Sequence, residues 1–173
     1  MSLLNSFKVN RGLPAGRYRL PQVFSGLQDA QPLKKCIRRR SLLRRILEET
    51  EVTLTANGTR YMHVNDKDGS LVVGLKYLHD ADERYLYLDI IHELVHVKQY
   101  LGGKELFDEE YSYADRPTEI EAYQYTVEEG RRLGMTEEEI AEYLYVEWMT
   151  RKEFARMLET LGVAPSRGRI VSF

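Results

Sequence analysis

Two histidines stand four residues apart in the run Asp89-Ile90-Ile91-His92-Glu93-Leu94-Val95-His96-Val97. On a helix, side chains at that spacing leave from one face, so the two imidazoles can grip one metal ion. Glu93 sits beside them, placed to take a proton from a water on that metal. Leu86, Leu88, Ile90, Ile91, Leu94, Val95 and Leu101 leave the segment almost no polar side, which predicts a helix buried nearly all round. Two histidines and two acids, Asp89 and Glu93, are costly in such a helix unless paired or metal-bound. A core helix can also carry a histidine that only hydrogen-bonds a carbonyl. Against that bland reading, two of the chain's four histidines are here.

Zinc in hydrolytic sites takes three protein ligands and keeps a fourth position for water. No histidine follows His96, so the third ligand must be an acid further on. Glu119 and Glu121 are the candidates, in Arg116-Pro117-Thr118-Glu119-Ile120-Glu121. That stretch opens a helix, with proline in its first turn and Thr118/Glu121 at capping-box spacing.

His92-Glu93-x-x-His96, a connecting loop and then Glu119-Ile120-Glu121-Ala122 resembles the gluzincin metallopeptidases, above all their small stand-alone members. The resemblance spans about residues 70–135. It implies a zincin-like α+β fold, with a small antiparallel sheet beside a helical core, the H-E-x-x-H helix and a following glutamate helix. It implies that His92, His96 and Glu119 bind Zn2+, that Glu93 is the general base, and that Ala122 is small for close helix packing. Relatives often carry Asp or Asn four residues after the glutamate ligand to orient a histidine; here that residue is Tyr123. Its hydroxyl, or Asp89 on the face of His92 and His96, would take over that job. If Thr118 and Glu121 form the cap, Glu119 is left to point inward. The resemblance also makes Val72–Tyr77 a strand that pairs with an extended substrate.

The implied chemistry is hydrolysis of peptide bonds in a peptide or protein substrate. Zinc lowers the pKa of its bound water to about 7, and Glu93 carries the proton to the leaving amine. A donor must meet the developing oxyanion, and Tyr111, Tyr113, Tyr123, His79 and Arg116 are the candidates. A di-iron carboxylate site would need a second E-x-x-H, which the chain lacks.

These residues need elements to hold them. The 173 residues suffice for one domain with a real core, and 43% hydrophobic with 30% charged content describes a soluble globular chain. We expect an N-terminal arm over residues 1–32, extended or partly mobile, a single metallopeptidase domain over 33–162 and a tail over 163–173 carrying Arg167 and Arg169. Residues 33–49 read as one amphipathic helix. Val52–Ala56 and Tyr61–Val64 read as a hairpin about Asn57-Gly58, and Leu71–Leu78 as a third strand. His63 falls within the hairpin and His79 just past the third strand. Asn65–Gly69 reads as an ordinary turn. The central helix should run from about Glu83 to Leu101, stopped by Gly102-Gly103. Three more helices follow: one ending near Leu133-Gly134, one capped by Thr136/Glu139 and running to about Met149, and one capped by Thr150/Glu153 and stopped by Gly162.

Charge is uneven: residues 1–80 hold 14 basic and 7 acidic side chains, residues 81–173 hold 11 and 20. The basic face of residues 34–45 suits an anionic partner, but the net charge of −2 argues against nucleic acid. The single cysteine, Cys36, and the absence of a signal segment or membrane span fit a cytoplasmic protein. An alternative to the peptidase keeps the zinc and the fold but not the turnover. It would be a regulatory or latent protein with its cleft covered by the arm or the tail, or one contacting nucleic acid through residues 34–45. Substrate preference and oligomeric state are not readable.

Overall fold

Strands form where the alternating segments sit, but they pair in another order. A computed structural model describes residue 4, residues 6–57 and residues 61–166. It is α+β, with a small sheet and a helical core, and it divides into two units, Met1–Leu106 and Phe107–Phe173.

In the first unit the chain order is β1 (Lys8–Val9), β2 (Gly16–Arg19), α1 (Leu20–Val23), β3 (Phe24–Ser25), α2 (Gln31–Cys36), α3 (Arg40–Glu49), β4 (Glu51–Thr55), β5 (Met62–Val64), β6 (Leu71–Gly74), α4 (Leu75–Asp80) and α5 (Glu83–Leu101). The main sheet has the order β2-β4-β6-β5. Its β2–β4 and β5–β6 pairings are antiparallel, and β4–β6 is parallel, with Val52 opposite Leu71 and Leu54 opposite Val73. The expected hairpin at Asn57-Gly58 is therefore corrected. β6 inserts between β4 and β5, which puts all four of these apolar side chains on the buried face. The turn that does join paired strands is Asn65–Gly69. There Asn65 N–H donates to Ser70 O (2.8 Å) and the Asn65 side chain accepts from Lys67 N–H (3.0 Å). Gly58 and residues 167–173 lie outside the described residues.

The residues expected as an arm that wraps the domain or is partly mobile are part of this unit. β2 is an edge strand of the sheet, and Phe7, Leu20, Val23, Phe24 and Leu27 are buried. Arg11 donates to the carbonyls of Leu78 (2.6 Å), His79 (2.7 Å) and Ala81 (2.9 Å), so a cation meets the carbonyl end of α4. The single helix expected over 33–49 is two helices. At about 100° per residue, Ile46 on an unbroken helix would face nearly opposite Leu33 and Ile37. The break at residues 37–39 lets all three be buried. The third strand likewise stops at Gly74, where period-two burial ends and Leu75–Asp80 turn helical, supported by a Lys76–Asp80 ion pair.

Helix α5 matches its expected bounds. Asp82 caps it, accepting from Arg84 N–H (2.8 Å), and Gly102 closes it onto the carbonyls of Lys98 and Gln99. Its far end is pinned to the sheet. Tyr100 donates to Lys67 O (3.0 Å), and its ring lies 2.4 Å from where a Cβ on Gly69 (φ +72°) would stand. Only glycine fits that turn.

The second unit holds α6 (Pro117–Arg132), α7 (Glu137–Leu144) and α8 (Arg151–Leu161). The Thr136/Glu139 and Thr150/Glu153 capping boxes both form, and Gly162 (φ +65°) ends α8. The Thr118/Glu121 box does not: α6 starts at Pro117 with Arg116 as its cap, so Thr118 is already inside the helix. Helix α7 stops at Leu144 rather than near Met149. After α8 the chain turns back, with Ala164 N–H donating to Glu137 (3.0 Å) and Ser166 N–H to Glu138 (2.7 Å). No helix among the described residues is long and apolar enough to cross a membrane.

Candidate metal centre

Leu86, Leu88, Ile90, Ile91, Leu94 and Val95 are fully buried on α5, and this apolar run carries His92, Glu93, His96 and Gln99 into the interior. None of the four is more than 8% exposed. The imidazoles of His92 and His96 meet edge to face with centroids 4.6 Å apart, and their Nε2 atoms are 2.9 Å apart. The expectation of one shared face holds within this helix.

The side-chain carbonyl of Gln99 lies 2.7 Å from Nδ1 of His96. A carbonyl oxygen only accepts, so Nδ1 of His96 carries the proton and its Nε2 carries the lone pair. That lone pair can receive a proton from His92 Nε2 or bind a cation, and it is the tautomer a metal ligand needs. Gln99 is 1% exposed and went unrecognised in the sequence. The signal was its i+3 spacing from His96, which places both on one face.

Asp89 was expected to support the histidines. Its carboxylate accepts a short hydrogen bond from the hydroxyl of Tyr77, at the middle of α4. Burial foremost, then the negative charges of Asp89 and, more weakly, Glu93, push the Tyr77 phenol far above its ordinary value. Tyr77 is therefore a fixed neutral donor. Its aromatic face also meets Tyr61 edge to face, with centroids 5.5 Å apart.

Among the described residues, one group of His, Cys, Asp or Glu side chains could hold a metal ion: His92, His96 and Glu119. All three are buried. Glu119 is 3% exposed, and Arg116 Nη1 stands 3.8 Å from its carboxylate. Glu121 is half-buried and does not belong to the group.

The remaining candidates are distributed differently. Tyr123 is buried, and its hydroxyl shares a hydrogen bond with that of Tyr113 (2.7 Å). Tyr111 is exposed. Arg116 lies over the Phe107 ring at 5.9 Å. His79 is exposed in the last turn of α4, with its carbonyl taken by Arg11. His63 is exposed on β5 opposite Val72. Substrate pairing along Val72–Tyr77 is overturned by the sheet order: β6 already has β4 on one edge and β5 on the other, and residues 75–77 are helical. Among the described residues, the outer strands of this sheet are β2 and β5.

Compared with known protein families, curated proteins and solved structures, the chain matches none.

Proposed function

We propose that the chain is a zinc-dependent peptidase of the gluzincin kind. In this reading His92, His96 and Glu119 hold the ion, and Glu93 is the general base for hydrolysis of a peptide or protein substrate. The observation that carries it is the buried His92, His96 and Glu119 group, with an acid directly after its first histidine. Two neutral imidazoles and one carboxylate are a donor set that suits zinc, and Gln99 holds His96 in the tautomer this set requires. When bound, the ion supplies Lewis acidity toward water and toward a substrate carbonyl.

The chain's own residues supply the proton transfers. A Glu93 carboxylate oxygen takes a proton from the attacking water as the new C–O bond forms. Glu93 then gives that proton to the leaving nitrogen as the C–N bond breaks. Tyr123, buried and oriented by Tyr113, is the donor we assign to the developing oxyanion; exposed His79 receives no role.

The test pairs metal content with turnover. His92→Ala should purify without stoichiometric zinc. Glu93→Gln should keep the zinc and lose casein or peptide-library hydrolysis by about 10²-fold or more, the share typical of general-base catalysis. A Glu93→Gln protein that cleaves at the wild-type rate overturns the role of Glu93. A wild-type chain that binds no zinc overturns the whole reading.

A further inference from the structure

The basic segment over residues 34–45 is not absorbed by the metal centre, and the apolar face of α3 is incompletely covered. On α3 only Ile46 is buried, while Leu42, Leu43 and Leu47 are half-buried. Beside that face lies a cavity of about 640 Å3, floored by Leu20, Phe24, Leu27, Ile37, Leu43 and Leu47. It shares no lining residue with α5. One wall is held by Gly26 (φ +81°), where an added Cβ would stand 1.7 Å from the Ser6 carbonyl oxygen, so main chain closes tightly behind it.

The rim is cationic: Lys34, Arg38, Arg40 and Arg44, against a single acid, Glu48. Lys34 pairs with Asp29 (3.3 Å) and Arg44 with Glu48 (3.9 Å). Among the described residues no carboxylate pairs with Arg38 or Arg40. Sites for small molecules commonly enclose about 300–1,000 Å3, with an apolar lining and a few polar groups that fix orientation. An apolar floor ending at two uncommitted guanidiniums suits a ligand with hydrocarbon along its body and an anion at one end. Nucleic acid would use the arginines but leave the hydrocarbon floor wet.

We propose that this cavity binds a single-chain amphiphilic anion, a free long-chain carboxylate, with its tail over Phe24, Leu43 and Leu47 and its head at Arg38 and Arg40. The site is independent of the metal centre.

Titration calorimetry on the full chain tests it, with decanoate, dodecanoate and tetradecanoate below their micellar concentrations. Sodium sulfate serves as a bare anion, dodecanol as a neutral tail, and anionic phospholipid vesicles and duplex DNA as competing partners. Saturable 1:1 binding should tighten about two- to fourfold per added methylene, the upper figure being full burial. Arg38→Glu/Arg40→Glu should weaken dodecanoate about tenfold or more and leave dodecanol unchanged. Leu43→Trp, which fills the cavity, should weaken both, and Glu93→Gln should weaken neither. Arg38→Gln/Arg40→Gln provides the same reading if charge reversal impairs folding. Three results would overturn the proposal: no saturable binding of any carboxylate, binding that sulfate matches and chain length does not change, or binding confined to vesicles or DNA.

Discussion

Helix α8 carries its polar machinery at its start, where Thr150 and Glu153 answer each other's backbone N–H groups, and ends on a left-handed glycine. Helix α5 has comparable caps in Asp82 and Gly102, yet it also carries His92, Glu93, His96 and Gln99 through its buried middle. The end groups of a helix have orphan donors and acceptors to satisfy; the middle has none. Thr150 and Glu153 are thus explained by the backbone they cap. The polar residues inside α5 answer no backbone need and bear the cost of desolvation. Instead they address one another, His96 to Gln99 at 2.7 Å and His96 to His92 at 2.9 Å. The difference separates polar residues that cap a helix from polar residues that the proposed metal centre would use.

The largest effect should come from the apolar setting of α5. Ile91→Ala removes a fully buried side chain beside His92 and should cost about 2–5 kcal/mol in denaturant unfolding. A cost under about 1 kcal/mol would mean that the setting is loose and the polar cluster inexpensive to keep. Next is the cluster itself. Gln99→Leu keeps volume but removes the acceptor at Nδ1 of His96, and it should weaken zinc about 10- to 100-fold in chelator competition. Gln99→Glu, which restores an acceptor, should recover most of that affinity. Should Gln99→Leu bind zinc as wild type does, Gln99 belongs with the architecture. The cap is smaller: Thr150→Ala should cost about 1 kcal/mol of stability and leave zinc affinity unchanged.

What could be read in advance follows the range of each interaction. The bounds of α5 were legible because Asp82, the apolar run and Gly102 all act within a few residues. The order β2-β4-β6-β5 was not, because inserting β6 between β4 and β5 depends on which faces the whole unit buries. The break between α2 and α3 shows a similar limit. Its apolar residues looked like one stripe in a short window, and only the accumulated turn of the helix sets Ile46 against Leu33. In the candidate centre the H-E-x-x-H spacing fixed the histidine pair. Asp89 and Gln99 were equally placed on that face, three residues before His92 and three after His96. What separates them is Tyr77, which comes from α4 to take the Asp89 carboxylate. Thr118/Glu121 matched a capping pattern, but α6 starts at Pro117, two residues earlier than a Thr118 cap would set it, and draws Thr118 into the helix.

The smallest effect concerns the charged groups that hold the second unit, and its sign follows from their pKa directions. Hydrogen bonds from Arg156 and Ser112 lower the Asp115 carboxyl below its ordinary 3.8. Hydrogen bonds from Arg131 lower Glu137, and those from Ser166 lower Glu138 to about 2. A carboxylate whose pKa is depressed in the folded state adds stability above its unfolded pKa. That stability is lost as pH falls through the folded value. Asp115→Asn should therefore lower Tm at pH 7, and the gap from wild type should close as pH drops from about 4 toward 2. The shift is small because the Asp115–Arg156 pair is open to water, with side chains 40% and 48% exposed. Thermal melts of both proteins across pH 7 to 2 check it. A gap that stays constant would mean that the charge on Asp115 does not stabilise the fold.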